Sequence, residues 1–214
     1  MFLKKTFRKF FIKDGSHDLY WFLFGLVFLF TFTLIRTPRW IFCLGLGVLT
    51  SAIFRYITTD SMYYDDFKNL DNRKDRLNYI SSKNIFTILF LAAFILVLYF
   101  IINIGIKIGL VGANYLEFKM VFTIIIYILA TENIILIFNH KLVVGYKSGY
   151  KRNYSEDLGV GITNLKFMIP SLFVNISLLV LIFVYKMNLN IVAGIFYLFV
   201  STVVFSVNKR LNFH

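Results

Sequence analysis

Six apolar blocks, each about as long as a helix that crosses hydrocarbon, leave this chain few folds to choose from. They fall at roughly 19–36, 39–57, 85–106, 118–138, 166–185 and 189–207. An α-helix rises about 1.5 Å per residue and a bilayer core is about 30 Å thick, so about 20 apolar residues make one crossing. In lipid every backbone N–H and C=O must be satisfied within the protein, which favours helices for blocks of this length. The reading is an all-α polytopic membrane protein with six transmembrane helices, forming one membrane domain over 1–214. Composition agrees: 58% of the residues are hydrophobic and 16% are charged, against about 25% charged in a soluble domain.

The formal charge of +12 raises the question of nucleic acid. The cations gather at segment ends, however, and make no continuous soluble face, so they read as topology signals and no nucleic-acid partner is expected. With the N-terminus inside, eighteen Lys and Arg fall on the inner side. They comprise Lys4, Lys5, Arg8, Lys9 and Lys13, then Arg55, Lys68, Arg73, Lys74, Arg76 and Lys83. The series continues with Lys141, Lys147, Lys151, Arg152 and Lys166, and ends with Lys209 and Arg210. Five remain outside: Arg36, Arg39, Lys107, Lys119 and Lys186. Both termini are expected in the cytoplasm. The first block is longer than a signal-peptide core, and "TLIRTPRW" lacks a small-x-small cleavage pattern, so it reads as a retained span. "RTPRW" then makes a short external turn, with Thr37 capping the next helix and Pro38 in its first turn.

Three polar stretches join or precede the spans. Residues 1–17 interleave Phe2, Leu3, Phe7, Phe10 and Phe11 with five cations. They read as an amphipathic helix lying in the headgroup layer, or as a basic leader without order. Residues 58–84 form a connector far longer than the external turns, with five aspartates and five Lys/Arg. Within it Tyr63, Phe67, Leu70, Leu77 and Ile80 recur at helical spacing. Charge pairs at three and four residues support the same helix. A near-neutral, charge-rich amphipathic helix suits docking to a soluble protein, and Tyr63, Phe67, Leu70, Arg73, Lys74 and Leu77 are its docking candidates. The alternative is a helix that only lies on the bilayer and joins two spans. The second connector, 139–165, offers Tyr146, Tyr150 and Tyr154 as a further docking or interfacial segment. Its "GVGITN" lacks the features of a phosphate loop.

Polar residues within spans are functional candidates by default. Glu132, in "YILATENIILIF", is the one carboxylate placed in a span; Asn133 adjoins it and Arg55 is its candidate partner. Ion or proton handling and a structural ion pair both fit. Asn103 lies towards the far end of the third span, beside "GIKIG", whose Gly105 and Gly109 have the spacing that lets helices approach closely. Pro170 and Asn175 mark either a kink or the harmless first turn of a helix.

Catalytic and metal chemistry find little support. His17, His140 and His214 have no carboxylate or cysteine at ligand spacing, so no metal or other cofactor is expected. Cys43, the single cysteine, excludes an internal disulfide and reads as a packing residue. A lipid-headgroup transferase would need carboxylates converging on a divalent cation, whereas here Asp60, Asp65, Asp66, Asp71 and Asp75 are interleaved with cations.

The segment "NLDNRKDRLNYISSKNIF" resembles the coupling loop between spans two and three of small six-span ABC-2-type permeases. Leu70 and the Arg73-Lys74 pair stand in register, Lys83 opens the next span, and Asp71 occupies the position where the family usually carries proline. The resemblance implies the membrane subunit of an ATP-driven exporter in the bacterial cytoplasmic membrane. A separate cytoplasmic ATPase would grip residues 60–80, and two membrane subunits would line the pathway. The catalytic site would then lie in the ATPase and not in this chain. A scaffold or accessory subunit of a membrane complex is the alternative, and an intramembrane lipid-modifying enzyme the second.

Overall fold

The structure, a computed structural model, describes residues 2–13, 39–59, 66–67, 69–110, 117–138 and 190–208, together with 169–170, 173–174, 176–178 and 180. The expected first span at 19–36, the turn with Thr37 and Pro38, Tyr63, Asn175, the connector at 139–165 and the three histidines lie outside the described residues. What is described is helical: α1 (Phe2–Arg8), which continues as a π-helical turn over Lys9–Lys13, α2 (Arg39–Thr59), α3 (Arg73–Lys107), α4 (Phe118–Phe138) and α5 (Ile191–Val207). No strand occurs among the described residues. Three of these helices, α2, α3 and α4, are long and apolar enough to cross a membrane, and α5 is an apolar helix of 17 residues.

The bundle is apolar on its outside as well as within. Along α3, Leu91, Phe94, Ile95, Leu98 and Ile102 are buried, while Ile85, Leu89, Leu96, Phe100 and Ile104 are exposed. On α5, Val192, Phe196 and Phe199 are each more than 60% exposed. A contiguous aliphatic and aromatic surface of this extent is unfavourable in water and favourable in lipid. The protein is membrane-embedded.

The largest departure from the sequence reading is α3. A connector helix followed by a separate span at 85–106 was the expectation; the chain instead forms one helix of 35 residues, about 52 Å long. Its start is fixed at Asn72, whose side chain accepts the backbone N–H of Asp75 at 2.8 Å and donates to the Asp75 carboxylate at 2.6 Å. The first bond is an asparagine N-cap; the second joins the two side chains and holds the cap in place. Its end is a Schellman turn. Leu110 N–H reaches the Gly105 carbonyl and Gly109 N–H that of Ile106, with Gly109 in the left-handed region at φ 76°. Gly109 therefore ends the helix, and the "GIKIG" spacing reflects termination more than close helix contact.

Contacts between helices give their directions. Tyr79 donates to the Thr58 carbonyl, so the first turns of α3 lie beside the end of α2. Arg76 reaches the Ser206 carbonyl at 2.9 Å and Asn84 reaches Thr202 at 3.3 Å, so α3 runs against α5. Cys43 packs with Ile124 and Ile128, while Arg55 meets Glu132, so α2 and α4 run together. Tyr127 meets Asn190 and Asn133 meets Ser201, so α4 and α5 run together too. The tight place in that last pairing is Gly194, where a Cβ would lie 2.8 Å from the Tyr127 ring.

The N-terminal stretch is helical with one buried and one exposed face, as the first of its two sequence readings has it, but it packs along α3. It is ordered, and its contacts climb α3: Phe2 meets Tyr79, Thr6 meets Lys83, Phe7 meets Phe86 and Phe10 meets Phe90. It lies alongside α3 and follows its direction, because Thr6 and Phe10 are drawn into the bundle.

Candidate functional site

The polar residues of the interior gather near one end of the bundle, where α2, α4 and α5 finish and α3 begins. At its centre is an ion pair between α2 and α4: Arg55 Nε donates to Glu132 Oε2 at 2.8 Å, with side chains 3% and 1% exposed. Both side chains are buried, so either charge alone would be expensive. Helical geometry sends the next residue elsewhere. Asn133 turns from α2 to α5, and its amide donates to Ser201 Oγ at 3.1 Å and Thr202 Oγ1 at 3.4 Å.

Thr202 is the node of three helices. It accepts from Asn133 on α4 and Asn84 on α3, while its own hydroxyl donates back to the Leu198 carbonyl at 2.7 Å. Ser201 also donates to Leu198, at 2.9 Å. With both hydroxyl protons directed into the α5 backbone, the two amides face lone pairs and donate. Their oxygens, Asn84 Oδ1 and Asn133 Oδ1, and Glu132 Oε1 are buried acceptors without a hydrogen-bond donor among the described residues. Such groups are normally satisfied by ordered water.

A second polar cluster joins α1 to α3. Asp66 pairs with Lys5 and, at 3.3 Å, with Lys9. Lys83, fully buried, donates to Thr6 Oγ1 at 2.8 Å and lies 5.1 Å from the Tyr79 ring centroid. Arg76 closes this end. Its guanidinium donates to the carbonyls of Leu70 at 2.9 Å and Asp71 at 3.0 Å, besides that of Ser206.

The docking candidates separate into two groups. Phe67 and Leu70 are 1% and 2% exposed and belong to the bundle's own core with Phe54, Tyr79 and Phe205. Residues 69–72 are not helical, so Phe67 and Leu70 do not share one helical stripe with Leu77 and Ile80; both serve this chain's interior. Arg73 and Lys74 are exposed on the first turn of α3, and Leu77 is 37% exposed one turn later. Asn103 stands apart from the cluster, donating to the Tyr99 carbonyl of its own helix at 2.9 Å. Sequence reasoning passed over Asn84, Ser201 and Thr202, and it placed Lys83 only at the opening of the third span. The carboxylate of Asp66 was legible only as one of five in the connector, and the hydroxyls of α5 carried no signal beside ordinary apolar neighbours. Among the described residues no group of three or more His, Cys, Asp or Glu is placed to hold a metal ion.

Fold and interior together define an α-helical membrane protein with a charged, hydrogen-bonded layer near one end. No protein-family model matches the chain, and no curated protein or solved structure matches it either.

Proposed function

We propose that this chain is the membrane subunit of an ATP-driven exporter of the ABC-2 type in a bacterial cytoplasmic membrane, coupled through the first turns of α3 to a separate cytoplasmic ATPase. The observation that carries the reading is the continuity of α3. One uninterrupted helix bears the exposed Arg73, Lys74 and Leu77 at its start and the apolar run 85–106 beyond. A push on the first turn is therefore delivered to the membrane span without a flexible joint. Arg76 ties that turn to α5 through Ser206, and Tyr79 ties it to α2 through Thr58, so movement of the handle would be shared by three helices.

The helix directions support a six-span arrangement. Because α2, α4 and α5 run one way and α3 the other, returns through 19–36 and 166–185 would give six crossings, with both chain ends on the side of the polar cluster. The charge distribution puts that side in the cytoplasm. A second copy or a sister subunit would complete the pathway along exposed apolar faces.

The burial of Phe67 and Leu70 favours a second reading, a scaffold or accessory subunit, because it removes two apolar anchors from the handle. The two readings separate by crosslinking. A photoreactive residue at Leu77 in the native membrane captures an ATP-binding protein if the exporter reading holds, and Arg73→Glu/Lys74→Glu abolishes the capture. Crosslinks only to non-ATPase membrane proteins, unchanged by charge reversal, would favour the accessory role.

A further inference from the structure

Four of the cations of the N-terminal stretch, Lys4, Lys5, Arg8 and Lys9, look equivalent in the sequence; packing makes them unequal. Lys9 and the partly exposed Lys5 are committed to Asp66. Lys4 and Arg8, one helical turn apart, are exposed and have no partner among the described residues. Beside them Phe7 and Phe11, also one turn apart, are 37% and 55% exposed and stack with ring centroids 6.0 Å apart. In contrast Thr6 and Phe10 are buried against Lys83, Phe86 and Phe90. The inner side thus clamps α1, and the outer side is held in place with two free cations and two aromatic rings.

The depth of this face in the membrane follows from α3. Charged residues end at Lys83, and the apolar run begins at Ile85. Phe7 and Phe11 lie 4.9 and 6.3 Å from the Phe86 ring, which places them at the edge of the hydrocarbon, where aromatic side chains accumulate. Lys4 is a turn nearer the polar end than Phe7, and the extended side chains of Lys4 and Arg8 reach the phosphate level from there.

We propose that the outward face of α1 is a binding site for an anionic phospholipid, in which Lys4 and Arg8 take the headgroup phosphate and Phe7 and Phe11 rest against the upper acyl chains. The site is selective for net negative lipid, because the two cations are uncompensated while the aromatic contact is indifferent to headgroup charge. It needs no ATPase or transport activity, so it stands or falls apart from the exporter reading.

The test is native mass spectrometry of the full-length protein in detergent, titrated with phosphatidylglycerol or phosphatidylcholine of the same chains. The wild type is expected to bind phosphatidylglycerol more tightly, and Lys4→Gln/Arg8→Gln to lose about fivefold of that preference per cation removed. Phe7→Ala/Phe11→Ala is expected to weaken both lipids alike. Thermal unfolding of each variant in lipid-free detergent checks that the fold is intact. Equal binding of the two lipids by the wild type, or an unchanged preference in the intact Lys4→Gln/Arg8→Gln variant, would overturn the assignment.

Discussion

Arg55 on α2 and Glu132 on α4, 77 positions apart in sequence, meet through a 2.8 Å hydrogen bond in the buried interior of the bundle. Removing one partner leaves the other charge buried, which typically costs about 3–5 kcal/mol, whereas replacing both with apolar side chains is often close to neutral. Arg55→Met and Glu132→Leu are therefore each expected to lower the stability of the purified protein by about that amount, with the double variant clearly more stable than their sum. Unfolding in mixed micelles with rising SDS, analysed as a double-mutant cycle, measures the coupling.

The burial of Phe67 sets it apart from the handle it was expected to join. Phe67→Ala is predicted to destabilise the isolated chain by about 3–5 kcal/mol through cavity formation. Arg73→Glu and Lys74→Glu, both on the exposed first turn, should change it by less than about 0.5 kcal/mol. Comparing the three in one unfolding assay, with no partner present, distinguishes a core residue from a docking residue.

Gly194 is a packing requirement of the α4–α5 contact. A Cβ there would sit 2.8 Å from Tyr127 Cε2, 3.1 Å from its Cδ2 and 3.3 Å from Ile126 Cγ2. The Tyr127 ring is itself held between Tyr197 and the Asn190 carbonyl. Gly194→Ala is expected to cost about 1–3 kcal/mol, and Tyr127→Ala in the same chain should recover part of it. Thermal unfolding of the single and double variants reads both effects.

Thr202 serves two amides at once. Thr202→Val keeps the shape and removes the acceptor for Asn84 and Asn133, leaving a buried donor on each of two helices. The expected loss is about 1–3 kcal/mol per stranded donor, reduced for Asn133 by its second bond to Ser201. Thr202→Ser keeps the oxygen and is predicted to lose much less. Unfolding of the two variants side by side makes the comparison.

The spans were more legible than the uses of their polar residues. An apolar run registers directly as a helix: 118–138 is α4, and 39–57 falls within α2. The periodicity of Phe67, Leu70, Leu77 and Ile80 was equally visible, yet a stripe has the same spacing whether a partner or the chain's own core covers it. Only the position of α2 and α5 against the start of α3 decides that Phe67 and Leu70 turn inward. The continuity of α3 was hidden for a related reason. Its charged first turns and apolar remainder differ in composition, but a capped helix without glycine or proline between Asn72 and Ile85 has no cause to break. Lys5 and Lys9 could not be separated from Lys4 and Arg8, because the division depends on where Asp66 sits. Glu132 was conspicuous as a lone carboxylate; Thr202 was not, since one hydroxyl in an apolar helix usually bonds to its own backbone.

Coupling to a cytoplasmic ATPase requires α3 to present its charged start to the cell interior and to end on the far side of the membrane. Single cysteines at Lys74 and Leu110, both exposed, report this in a Cys43→Ser background, with a membrane-impermeant maleimide applied to intact and to permeabilised cells. Labelling of Leu110→Cys in intact cells, with Lys74→Cys labelled only after permeabilisation, is the predicted result. Labelling of Lys74→Cys from outside intact cells would contradict it, and a cytoplasmic ATPase could not then act on this helix.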